Sequence, residues 1–352
     1  MSSLTETAFY ARKTINWSII AVIGYIFLRI FWGVFLSVYL AVFPPKAPPP
    51  NHAFGRLPPI RFPAPVASPS GTLVYRLETI EGTVPTASAS AYVYFMPKLG
   101  SNLLALSKAQ TFAKRLGLEI TPIPDEKNKN VYRFDDATLQ LRHLWYDIVS
   151  NNFILKYSFE NDAGLFLERN QPTAQAAQSE ARTMLQTYGL FPSDFTGGQI
   201  NIQFYKATES TLSLVASLSQ ADAVRVNFYR PNIADTPVIS SVPGEAPISL
   251  LFSGSKNTKK RLIQFMYTYW PVDYQTWATY GIKPSSQAWT ELQNGNGYIV
   301  RYPKNMVATV RSVYLAYYDS IAPQTYLQPL FVFEGDDGFL AYVPAILAEW
   351  VE

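Results

Sequence analysis

The chain of 352 residues has a formal net charge of +3, with only 16% charged and 15% aromatic residues. That balance, without a basic tract, excludes the electrostatic footprint of a nucleic-acid binder. The lack of cysteine excludes disulfides, thiolate metal sites and a cysteine nucleophile, and His52 and His143 stand in segments too different to make a metal site, so no metal or cofactor is expected.

The first element is an apolar run from Ser18 to Phe43 whose one charge is Arg29. A membrane span needs about 20 apolar residues. A signal peptide has a shorter apolar core and a small-residue cleavage site. Here the run ends in Val-Phe-Pro-Pro, so residues 15–43 are expected to form a retained transmembrane helix behind a tail of residues 1–14. Arg12 and Lys13 flank the start and put that tail in the cytoplasm, although Lys46, Arg56 and Arg61 weigh against it on the other side. The bulk of the chain is then extracytoplasmic, held by a single pass through the cytoplasmic membrane.

Arg29 costs about 2.5–3.5 kcal/mol at the centre of a span. It reads either as a tolerated charge that snorkels or as half of an ion pair with an acidic residue on a partner's membrane helix. Gly33 and Ser37 follow at four-residue intervals, so all three share one stripe with a small-residue pattern that permits close helix packing. Arg29, Gly33 and Ser37 are the candidate membrane-partner residues.

Residues 44–70 are rich in proline, which forms neither helix nor central strand. A semi-rigid extended spacer is expected, with Pro45 and Pro48 also fitting a PxxP ligand. Beyond it, "TLVYRLETIEG" and "SASAYVYFMPK" alternate as strands. The spacing of Leu104, Leu106, Ala109, Phe112, Ala113 and Leu116 predicts a helix stopped by Gly117. "NVYRFDD", "TLQLRHLWYDI" and "NFILKYSF" read as an antiparallel meander with turns at Asp135-Asp136 and Asn151-Asn152.

The pattern then returns. Ser107–Leu118 ("SKAQTFAKRLGL") and Ser179–Leu190 ("SEARTMLQTYGL") share Ser, Ala, Thr, Gly and Leu at matching positions. "GQINIQFYKA" and "ADAVRVNFYRP" follow as strands. A weaker third copy starts at Ser285, a candidate N-cap, in "SSQAWTELQNGNGYIVRY". The expected fold is α+β: the membrane helix, then repeated helix-on-antiparallel-sheet modules at 71–160, 161–245 and 246–352.

The last third is the most aromatic. Gly335-Asp336-Asp337-Gly338 between apolar runs signals a hairpin turn, a better reading than a calcium loop, which needs more oxygen ligands. "AWTELQNGNGYIV", "VYLAYY" and "QPLFVFEGDDGFLAYVPAI" resemble the C-terminal part of the YycH/YycI family, and the Ser-x-Ala helices with following strands are similar to PepSY-type modules. The resemblance covers residues 288–352 by motif and the rest by layout only. It implies a bacterial single-span protein with extracytoplasmic α+β modules, a non-enzymatic accessory that contacts a sensor kinase partly through its span. The proline-rich spacer and Arg29 depart from that pattern.

No G-x-S-x-G, P-loop or H-E-x-x-H is present. Ser253-Gly254-Ser255-Lys256 fits S-x-x-K formally, but the S-D-N and K-T-G companions do not occur, and the stretch reads as a polar loop. Tyr267, Tyr269, Trp270, Tyr274, Trp277 and Tyr280 crowd together; aromatics of this kind fill cores and also dominate binding surfaces. Pro271, Asp273 and Gly281 break their periodicity, so Trp270, Tyr274 and Trp277 are the candidate partner surface. The expected function is a non-enzymatic regulator of an envelope complex, a homo-oligomer being compatible with it. The alternative is a cell-wall or glycan-binding module on a proline-rich stalk.

Overall fold

The protein is described by a computed structural model covering residues 4–42, 48–65, 69–100, 102–208, 210–240, 244 and 246–352. It is mixed α/β and mostly sheet. The chain divides after Pro48 into two units, Met1–Pro48 and Pro49–Glu352.

The first unit is helix α1 (Leu4–Val42). It contains Arg12–Leu36, a stretch of 25 residues long and apolar enough to cross a membrane. No proline interrupts it, and all side chains described in that stretch are exposed. A helix apolar all round with none of its surface covered suits hydrocarbon rather than water.

The second unit runs through β1 (Val74–Leu77), β2 (Ser90–Phe95), α2 (Ala105–Arg115), β3 (Ile123–Pro124), β4 (Val131–Asp135), β5 (Arg142–Asp147) and β6 (Phe153–Tyr157). There follow α3 (Ala174–Thr187), β7 (Ile200–Thr208), β8 (Thr211–Val215), β9 (Ala223–Phe228), β10 (Val238–Ser240), β11 (Ile248–Ser253), α4 (Thr258–Arg261) and β12 (Leu262–Tyr267). The chain ends with β13 (Asp273–Gly281), α5 (Ser285–Gln293), β14 (Tyr298–Arg301), β15 (Val307–Asp319), β16 (Tyr326–Leu327), β17 (Pro329–Gly335) and β18 (Leu340–Pro344).

The largest sheet has nine strands in the order β3-β4-β5-β6-β12-β11-β9-β7-β8. The meander β4-β5-β6 has the expected antiparallel pairing. The strands after α3 make a second run, and the two join where β6 pairs with β12. Helices α2 and α3 cover one face: Ala109, Phe112 and Ala113 share a core with Ala177, Ala181 and Leu185, above Leu144, Leu155, Val226 and Phe265. The matching Gly-Leu ends adopt matching caps. Gly117 and Gly189 lie at φ +76° and +70°, and the next amides, of Leu118 and Leu190, reach back to the carbonyls of Ala113 and Leu185. This is the six-to-one bond that stops a helix at a left-handed glycine.

The other two sheets interleave the ends of the unit. One has the order β1-β15-β17-β18-β14, with β10 also on β15, and the other is β13-β2-β16. The module boundaries therefore differ from those expected. Strands β1 and β2, placed in a first module by sequence order, pair with β15 and β13. Strands β11 and β12, placed in a third, belong to the nine-stranded sheet. Strand β8 carried no separate expectation. Ser285 is not the cap of α5; Pro284 holds that position, and the Ser285 hydroxyl donates to the Pro85 carbonyl.

The proline-rich segment also departs from a free spacer over its described residues. Leu57 is fully buried in the core between the two smaller sheets, with Val93, Tyr280, Phe331 and Phe333. Its amide donates to Trp350 O at 2.8 Å and its carbonyl accepts from Glu352 N at 2.9 Å. Along β17, Leu330 and Val332 face the opposite side from Phe331 and Phe333, and Ile60 and Phe62 pack against that other cluster. The strap thus contributes to both faces of one sheet. Asn51 and Thr279 exchange bonds at 2.9–3.0 Å, and His52 stacks on Trp350 at 3.6 Å. Pro45 and Lys46 lie outside the described residues.

Replacing Leu57 by Ala is expected to cost about 2–5 kcal/mol through the cavity it leaves. Denaturant unfolding of the full chain in detergent measures it; an unchanged midpoint would mean that the segment is a free tether.

Candidate functional site

Where the nine-stranded sheet meets the smaller sheets, one arginine collects groups from three other segments. Arg230, just after β9, is 3% exposed, as is Asp319 at the end of β15. The Arg230 Nε donates to Asp319 Oδ2 at 3.0 Å, Nη1 to Asp194 and Nη2 to the Trp270 carbonyl at 2.8 Å. The guanidinium also lies 4.9 Å from the Phe195 ring centre and 5.6 Å from that of Tyr269. Tyr269 Oη donates to the second Asp194 oxygen at 3.1 Å. Burial opposes the arginine's charge, yet Asp319 and Asp194 push its pKa upward. Burial raises the Asp319 carboxyl, with Arg230 opposing. A planar guanidinium suits this task because its donors form a fixed fork.

Two clefts border this junction. The larger, of about 690 Å³, is lined in part by Tyr229, Arg230, Tyr314, Glu334 and Tyr342. Tyr314 donates to Glu334 at 2.6 Å; burial and that carboxylate raise the tyrosine pKa, so its hydroxyl stays protonated with the proton held in the bond to Glu334. The second cleft, of about 580 Å³, lies between the turns of the β4-β5-β6 meander and the ends of β2 and β16, with Trp270 in its wall. Clefts at such seams are the usual place for ligands.

The aromatic candidates separate here. Trp270 is half-buried, its indole donating to Ile321 O at 3.2 Å while its carbonyl holds Arg230. Tyr274 is also half-buried, edge-on to Tyr94 at 5.7 Å, and burial raises its pKa against the nearby Arg230. Both belong to the junction, and the segment, which the broken periodicity suggested to be partly a loop, is strand β13 from Asp273 onward. Trp277 is 44% exposed with its ring against Tyr92. On α1, Arg29 and Gly33 are exposed, and a Cβ added at Gly33 meets nothing within 4 Å. The Ser37 side chain lies outside the described residues. Sequence reasoning missed Arg230, whose only signal is a charge directly after an apolar strand.

The other motifs resolve into structural roles. Ser253 of the S-x-x-K match is fully buried; its hydroxyl donates to Lys260 O at 3.0 Å and accepts from Ser255 N. Lys256 is exposed, and Asn257 caps the single turn α4. In the Gly335–Gly338 turn, Asp337 takes φ +56° and Asp336 pairs with Arg311 at 2.7 Å. Among the described residues no group of three or more His, Asp or Glu side chains is placed to hold a metal. Asp136, 2% exposed, accepts from Lys259 at 3.0 Å, Arg142 at 3.3 Å and Thr138. Burial alone would raise it, but the Lys259 ammonium and these donors lower it to about 2. Arg142 also donates to Leu116 O at 2.8 Å, tying the end of α2 to the meander.

No known protein-family model matches the chain, and no curated protein is significantly similar to it.

Two outcomes are expected. Asp136 has a folded pKa of about 2 against an ordinary 3.8, so it adds stability that is full above about pH 4 and lost as pH falls towards 2. The amount is about 2 kcal/mol. Asp136→Asn should flatten that part of an unfolding-versus-pH profile; an unaltered acid limb would contradict it. Arg230→Leu leaves Asp319 buried without its cation and should cost about 3–5 kcal/mol, while adding Asp319→Leu should recover much of the loss. Denaturant midpoints of the two variants decide it, and a double variant as weak as the single would deny the pairing.

Proposed function

We propose that the chain is a non-enzymatic, single-pass accessory protein of a bacterial envelope complex. It acts by contact, with a sensor kinase as the partner class that the YycH/YycI resemblance implies. The observation that carries this reading is α1: a helix of spanning length, apolar and exposed along Arg12–Leu36, in one chain with a separate folded unit of 304 residues, Pro49–Glu352. In this reading the tail is cytoplasmic and the folded unit outside, which Arg12 and Lys13 favour and Lys46, Arg56 and Arg61 weigh against.

In this reading Arg29 pairs with an acid on the partner's membrane helix, beside a close approach at Gly33 and Ser37. An unpaired arginine at the centre of a span carries about 2.5–3.5 kcal/mol of insertion cost, which a partner carboxylate offsets. The matching glycine-stopped caps of α2 and α3 support an origin of the nine-stranded sheet in two repeated helix-on-sheet units. The packed strap weighs against the stalked glycan binder, because the described part of the stalk is bound to the fold.

Two measurements test the proposal. The full chain should stay with membranes after alkaline carbonate extraction; release into the supernatant would overturn the anchor. A membrane protein should co-purify in mild detergent and be lost, by about tenfold or more, from Arg29→Leu. Equal recovery from both would overturn the paired arginine.

A further inference from the structure

We propose that the 580 Å³ cleft is a peptide-binding site for an extended segment carrying aliphatic and acidic side chains. The inference rests on the reading that the protein works by contact with a partner, and it names the chemistry of one contact.

The walls are built before any ligand arrives. On the meander side, Asp147 Oδ1 accepts from Val149 N at 2.8 Å and Ser150 N at 3.2 Å, and Asn130 O accepts from Ile148 N at 2.9 Å. Asn152 Oδ1 accepts from Tyr269 N at 2.8 Å. On the other side, Met96 N donates to Thr325 O at 2.8 Å and Gln324 Nε2 to Tyr318 O at 2.8 Å. The Trp270 indole is fixed to Ile321 O across this wall. A site held by bonds of this kind spends little entropy on ordering itself when a ligand binds.

These bonds leave a defined remainder. Asn152 has spent its oxygen, and its Nδ2 is buried with no hydrogen-bond partner among the described residues. Gln324 has spent its amide nitrogen, which leaves its oxygen as an acceptor. The Gln324 oxygen matches the N–H of a peptide backbone, whereas the Asn152 Nδ2 is enclosed in the wall, out of a ligand's reach.

The apolar part of the lining is aliphatic: Met96, Pro97, Leu99, Val149, Ile321 and Pro323. Leu99 and Ile321 are 37% and 43% exposed. Sugars stack on open aromatic faces; the single indole of this cleft has its N–H already engaged, and branched aliphatic side chains fit the remaining surface better. Lys98 is exposed at the cleft and has no carboxylate within ion-pair distance among the described residues, while Asp147 is turned into its own loop. The free charge is thus positive and selects an acidic residue on the peptide.

The probe is a dye-labelled, capped peptide alternating glutamate with leucine, with a sister peptide carrying lysine for glutamate. Both are titrated against the full chain in detergent by fluorescence anisotropy. The acidic peptide should bind, the lysine peptide about tenfold more weakly, and Lys98→Glu should lower binding of the acidic peptide by about tenfold. Val149→Trp, which fills the cleft, should abolish it. Circular dichroism and the unfolding midpoint confirm that both variants remain folded. Equal binding to wild type and Lys98→Glu, no binding of either peptide, or binding of a chitin oligosaccharide in place of the peptide would each overturn the site. Loss of the co-purifying protein from Arg29→Leu is read separately, so failure of the cleft leaves the membrane-partner result standing.

Discussion

The structure of the second unit depends on keeping one charge out of water. Arg230 follows β9 of one sheet and meets Asp319 at the end of β15 in another, and a buried guanidinium is tolerable only where carboxylates and carbonyls meet its donors. Asp319, Asp194 and the Trp270 carbonyl do so from three separate segments. Apolar contact fixes no particular hydrogen-bond partner, whereas this fork does. The geometry therefore sets where the two sheets meet, and with it the position of both clefts. Asp136, Arg142 and Lys259 do a similar job within the nine-stranded sheet, joining the end of α2, a meander turn and the single turn α4 before β12.

The membrane side follows from a different constraint. Helix α1 is long and apolar enough along Arg12–Leu36 to cross a membrane, and its described side chains in that stretch are uncovered. The folded unit has the opposite character, with its apolar side chains enclosed between sheets and helices and its charges at seams and turns. In the proposed reading, the cleft beside Trp270 is the recognition surface.

Local features were legible in the sequence because local chemistry determines them. The β4-β5-β6 meander followed from alternation and turn residues, the ends of α2 and α3 from Gly-Leu, and the Gly335–Gly338 hairpin from its acidic glycine turn. Pairings over long distances were not legible. Strand β1 lies parallel to β15 with more than half the chain between them, and nothing in Val74–Leu77 identifies that partner. The proline-rich segment misled for a physical reason: proline does rule out helix and central strand, but an irregular segment that turns at Ala53–Phe54 and carries Phe54, Leu57, Ile60 and Phe62 among its prolines can still pack on the fold, with one parallel bridge at Leu57. Those four apolar residues were the signal. In the aromatic cluster, composition marked the right region and failed to separate the anchors Trp270 and Tyr274 from the exposed Trp277. Arg230 could not be found from sequence, since its importance lies in Asp194 and Asp319, distant in the chain.

The central claim is that the junction at Arg230 makes the sheets of Pro49–Glu352 one cooperative body. Pulsed hydrogen exchange with mass spectrometry, applied to the full chain across a denaturant series, tests it directly. Peptides covering Val131–Tyr157 and Val307–Pro344 should lose protection together, at one midpoint. Separate midpoints, with the nine-stranded sheet still protected after the C-terminal strands have opened, would contradict the account.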